Sequence, residues 1–169
     1  MTWDAFESQL AAVLGVLEGD QFLIISAKRG WAYVQFSRQS GHGIRGEAMS
    51  NLYLSADRQL SEAEMATLAA LRWRSPTETA PNFYQYWPEP VPCHAAASAS
   101  VRTLREVYGI DHPEQLQYEA FDKDQCQILL PTLGVARTPP KAPAALPAHT
   151  VEDARQLVLF TSRGPLIVH

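Results

Sequence analysis

Apolar residues recur at helical spacing near the start of the chain: Trp3, Phe6, Leu10, Val13, Leu14 and Leu17 fall on one stripe. The spacing predicts an amphipathic helix over residues 3–18, with Thr2 as its N-cap and Glu18-Gly-Asp20 as its stop. The period then drops to two. "QFLIISA" predicts a strand, "KRG" a short turn, and "WAYVQFSR" a second strand with Ala32, Val34 and Phe36 on one face. Trp31, Tyr33 and Gln35 share its other face. After the turn "QSGHG", "IRGEAMSNLYL" predicts a third strand with Gly46 as a bulge or weak point. Three strands with short links form an antiparallel meander.

Helical spacing returns in "LSEAEMATLAALRW", which opens with the capping-box pattern Ser61-x-x-Glu64 and ends before Pro76. A third helix is predicted in "HAAASASVRTLREVYG", with Gly109 as its stop. Leu116, Tyr118 and Ala120 then alternate with Gln117, Glu119 and Phe121, as in a strand. Between the second and third helices lies "APNFYQYWPEPVPCH", residues Ala80 to His94, with four aromatics and four prolines. Its prolines argue for an irregular loop. Phe83 and Trp87 are expected to plug the core, leaving Tyr84 and Tyr86 exposed.

These elements predict an α+β fold: an antiparallel sheet of about four to five strands with helices packed on one face. The domain is expected over residues 1–135. A Pro/Ala linker follows over 136–149, where "RTPPKAPAALPAH" offers nothing to pack, and a tail over 150–169.

Composition narrows the function. The net charge is -4 and the 14 basic residues are scattered, so a nucleic-acid surface is not expected. No apolar run approaches the roughly 18 residues of a membrane span. "MTWDAFESQL" lacks the basic start of a secretory signal, and the two cysteines, Cys93 and Cys126, form no disulfide framework. A cytoplasmic protein is the expectation. The five histidines, His42, His94, His112, His149 and His169, form no ligand pair, and adjacent Cys93 and His94 suit one metal poorly. "SGHGIRG" lies between two strands and lacks the P-loop lysine, so it is a hairpin loop. No GxSxG elbow presents a serine. Asp111-His112 belongs to a turn before Pro113, and Glu62 and Glu64 are helix-start charges. No catalytic residue, metal or cofactor is expected.

The aromatics remain. Trp31, Tyr33, Tyr84 and Tyr86 are the candidate peptide-binding residues, because amphipathic rings bury area at low entropic cost. A meander also leaves an unpaired edge, so a homodimer through that edge and the Trp31/Tyr33 face is expected. The alternative is a small-molecule-binding domain, or a small enzyme, with a pocket under the aromatic Pro81–Pro92 loop.

"PNFYQYWPEP", followed by an alanine-rich helix and "VRTLREVYGIDHPEQLQYEAF", resembles an actinobacterial domain grouped with the YbjN proteins and the type III secretion chaperones under the name TY-Chap. The resemblance spans Thr2 to Asp122. It implies a secretion-chaperone-like fold and a non-enzymatic role in binding peptide segments of client proteins, often as a dimer.

Overall fold

Thr2 caps the first helix, α1 (Trp3–Val16), by accepting a hydrogen bond at Oγ1 from the Ala5 amide at 3.2 Å. The helix buries Phe6, Leu10, Ala11, Val13 and Leu14. The computed structural model describes residues 1–139 of the chain, which form one unit over Met1–Thr138. The rest of the expected linker, from residue 140, and the tail 150–169 lie outside the described residues.

The strands are β1 (Gln21–Ala27), β2 (Tyr33–Gln39), β3 (Gly43–Ala48), β4 (Phe83–Trp87), β5 (Leu116–Asp122) and β6 (Ala136–Arg137). They form one sheet in the order β4-β3-β2-β1-β5-β6. Every neighbouring pair is antiparallel except β5 with β6, so the sheet is mixed and six-stranded. The two helices that follow are α2 (Glu62–Ala70) and α3 (Cys93–Arg102). The expected capping box is present: the Ser61 amide donates to Glu64 Oε2 at 2.7 Å, and the Glu64 amide donates back to Ser61 Oγ at 3.3 Å. α3 runs on into a π-helical turn, Thr103–Val107, and the chain leaves it through Gly109 in the left-handed region.

Alternation sorts the sheet into two faces. Leu23, Ile25, Val34, Phe36, Ile44, Leu116 and Tyr118 share one core with Phe6, Leu10 and Leu14 of α1, Leu68 of α2 and Val101 of α3. The helices therefore cover one face, as expected. The other, distal face carries Phe22, Ile24, Tyr33, Gln35, Arg45, Glu47, Tyr84, Tyr86, Glu119 and Phe121 by register. Among the described residues no helix is long and apolar enough to cross a membrane.

Two expectations are overturned. The aromatic segment is not irregular: Phe83–Trp87 is an edge strand in continuous register with β3, from Ala48↔Phe83 to Ile44↔Trp87. Its prolines, Pro81 and Pro88, lie just outside those five residues, where proline bounds a strand rather than breaking it. Gly46 is not a bulge either, because it pairs regularly with both Phe36 and Gln85. It is a glycine because Trp87 occupies the space a side chain would need. A Cβ at Gly46 would lie 2.4 Å from Trp87 Cζ3. Trp87 in turn meets Trp73 edge-on, with centroids 5.8 Å apart, and leans on Phe36 at 6.4 Å. Trp73 Nε1 donates to Thr103 Oγ1 at 2.8 Å, tying this cluster to the π-helical turn.

The two ends of the sheet differ. The outer side of β5 is occupied: Ile128 donates to the Ala120 carbonyl at 2.8 Å, Thr138 donates to the Tyr118 carbonyl at 2.7 Å, and β6 lies beside Gln117 and Tyr118. On the outer side of β4, Arg74 and Tyr84 exchange main-chain bonds of 2.8 and 3.1 Å.

Filling the space above Gly46 should be harmful, as should emptying it. Gly46→Val is expected to cost at least about 1–3 kcal/mol by overpacking, and Trp87→Ala about 3–5 kcal/mol by leaving a cavity. Thermal melts of both variants check this, and a Trp87→Ala protein melting like the wild type would refute the packing role.

Candidate functional site

The distal face at β2, β3 and β4 is built around a buried carboxylate. Glu47 is 3% exposed. Its Oε2 accepts from Gln35 Nε2 at 3.0 Å and Asn82 Nδ2 at 3.1 Å, and its Oε1 accepts from Arg45 Nε at 2.9 Å. Arg45 and Glu47 stand two apart in one strand, so alternation aims them at the same face. Asn82, itself 1% exposed, also donates to the Tyr33 hydroxyl at 3.0 Å and accepts from the Ser50 amide at 3.3 Å. A buried charge is tolerable only with such partners, and here each neighbour supplies one.

Aromatic rings rim this network. The Arg45 guanidinium carbon stands 5.2 Å from the centroid of Tyr84, and that of Arg74 stands 5.9 Å from it. Tyr86 is exposed and its hydroxyl donates to Gln39 Oε1. Phe22 and Phe121, facing across β1 and β5, stack at 5.3 Å. Burial pushes the Tyr33 phenol up to about 12, with the Asn82 bond opposing that rise and the Glu47 charge adding to it. Burial, again with Glu47, raises Tyr53 as well.

The structure thus brings three of the four expected residues, Tyr33, Tyr84 and Tyr86, to one face. Trp31 is not with them. The chain enters the β1/β2 ladder only after the turn, so strand alternation does not govern Trp31. Its ring lies 4.5 Å from the Arg58 guanidinium carbon and meets Tyr108 edge-on at 6.4 Å. Arg45, Glu47, Gln35 and Asn82 were not foreseen. The signal for the first two was the Arg-x-Glu spacing within a predicted strand.

An open groove of about 600 Å³ runs between the 50–52 loop, Met65 and residues 76–78, and meets the expected Pro81–Pro92 loop only at Pro81 and Phe83. Its polar lining is largely engaged. Ser50 Oγ donates to the Pro81 carbonyl at 2.6 Å, and Asn51 Nδ2 donates to the Leu60 carbonyl at 3.1 Å. No group of three His, Cys, Asp or Glu residues that could hold a metal occurs among the described residues.

A sheet with helices on one face, an aromatic rim on the other and an edge strand beside it defines a surface-presenting α+β domain. The chain belongs to the T3SS (YopN, CesT) and YbjN peptide-binding chaperone 3 family, TY-Chap3, whose model matches residues 1–122. That span closes at the last residue of β5. No curated protein and no solved structure matches the chain.

Two measurements probe the network. Glu47→Ala strands Arg45, Gln35 and Asn82, and is expected to cost about 3–5 kcal/mol in denaturant unfolding. A second test uses Tyr33. The unfolded phenol ionises near its ordinary 10.0, while the folded one holds its proton to about 12. Stability from this group is therefore full below pH 10.0 and drains away as pH rises through about 12. Tyr33→Phe should flatten that alkaline loss, and an unchanged slope would count against the burial of the phenol.

Proposed function

We propose that this domain is a non-enzymatic peptide-binding module that takes an extended client segment along β4, against Tyr84 and Tyr86, with Tyr33 behind them. One observation carries the reading. Tyr84 turns its main-chain groups outward to Arg74, so Tyr86, two residues on, presents its own to the same side. Among the described residues nothing takes them up. An added strand would satisfy them, and its alternate side chains would lie over the tyrosines. Membership of a family described as peptide-binding chaperones supports this, and the absence of a free convergent polar set in the 600 Å³ groove disfavours a small polar ligand there. In this reading the protein works in the cytoplasm on a protein or peptide partner, without cofactor.

The same edge would accept β4 of a second copy about a two-fold axis, which is the homodimer reading. The Trp31/Tyr33 patch expected to support a dimer is divided, because Trp31 lies against Tyr108 and Arg58. Light scattering at tens of micromolar separates the two uses of the edge, and a monomer mass leaves it to the client.

Tyr86→Ala is expected to leave the melting temperature nearly unchanged, a loss under about 0.5 kcal/mol, while weakening client binding about tenfold. Clients are obtained by co-purification with the wild type and read by mass spectrometry, then titrated against both proteins. Equal affinities would sink the proposed surface.

A further inference from the structure

Trp31 stands between two cavities of opposite character. On one side, about 240 Å³ is lined by Asp57, Glu64 and Glu106, each of which already has a partner, and by Arg58, which faces both cavities. Asp57 lies 3.9 Å from Arg58, Glu64 closes the Ser61 capping box, and Glu106 holds Arg102 at 2.8 and 2.9 Å. On the other side, a cleft of about 400 Å³ is lined by Lys28, Arg29 and Arg58, with Trp31 as a wall. Its carboxylate, Glu114, is engaged by the Met1 amino group. Lys28 and Arg29 are exposed and have no ion-pair partner among the described residues. Arg58 is steadied by its stacking on Trp31.

A chain of net charge -4 therefore lines one cleft with three cations and an indole, Arg58 lying on the ring and Lys28 and Arg29 sharing the lining. We propose that this cleft receives an acidic segment of the client peptide, its carboxylates meeting Lys28, Arg29 and Arg58 and a neighbouring apolar side chain lying on Trp31. The proposal rests on the peptide-binding reading and adds the charge of the partner to it. Opposite charges in an open cleft steer and select more than they tighten, and salt screens them. The cleft separates acidic from neutral peptides at low ionic strength and ceases to do so at high.

Three fluorescein-labelled peptides of equal length test this, alternating leucine with Glu, Gln or Lys, with affinities read by fluorescence anisotropy. The Glu peptide is expected to bind about tenfold tighter than the Gln peptide at ~50 mM salt, with the Lys peptide weakest, and the spread should collapse near ~0.5 M. Lys28→Gln/Arg29→Gln, at two exposed turn positions, should erase the advantage of the Glu peptide and leave the affinity for the Gln peptide unchanged. Tyr86→Ala should weaken all three alike. If the Glu and Gln peptides bind the wild type equally, or the double variant keeps the preference, the acidic-client inference is overturned. A loss on Tyr86→Ala would then still uphold peptide binding. Failure of all three peptides to bind would overturn both.

Discussion

The candidate site depends on the packing of one indole over one glycine. Trp87 lies where a Gly46 side chain would be, and that contact, with Ile44↔Trp87 pairing beside it, fixes β4 on β3 in a single register. A strand has two faces and a period of two, so placing Trp87 and Phe83 toward the helices sends Tyr84 and Tyr86 the other way. A slip of one residue would bury the tyrosines and expose the indole. The edge through Trp73 to Thr103 extends the constraint into the helical layer, where Thr103 opens the π-helical turn. The site on one face is thus positioned by packing on the opposite one.

On the distal face the organising group is polar. Glu47 has no helix to shield it, yet it is almost inaccessible, because side chains from β2, β3 and the approach to β4 converge on it. Asn82 is the hinge of this arrangement. Its amide reaches Glu47 and Tyr33 with two donors, while its carbonyl oxygen holds the Ser50 amide, so the loop after β3 and the start of β4 are set relative to each other by one side chain. A network of this kind favours one geometry, because a partly satisfied version would leave buried donors without acceptors.

Much of the fold was legible because the signals were periodic. β1 matches the run "QFLIISA" residue for residue, and the Ser61–Glu64 box and the Gly109 stop lie where local chemistry put them. β4 was not legible. "FYQYW" is short, flanked by prolines, and carries Gln85 between Phe83 and Trp87 on the core side, so neither length nor alternation marks it as a strand. β6, only two residues long, is defined by its neighbour and has no signal of its own. The aromatic part of the site was legible as composition, but the separation of Trp31 from Tyr33 was not. It depends on where the ladder begins, which is a tertiary fact. Glu47 was hidden for a related reason: a charged residue in a strand is ordinarily a solvent-facing one, and only the assembled face shows that its neighbours enclose it.

The unequal ends of the sheet bear on stoichiometry. With the outer side of β5 covered by residues 126–128 and by β6, and Tyr84 already bonded to Arg74, the main-chain groups left open on β4 are those of Tyr86. The rim beyond it, on β6, is two residues long among the described residues. A strand joining β4 therefore has no counterpart site at the opposite end of the same described unit. Under the proposed strand addition, the described unit would take one strand beside Tyr86, and a second copy joining there would make a closed pair rather than an open stack.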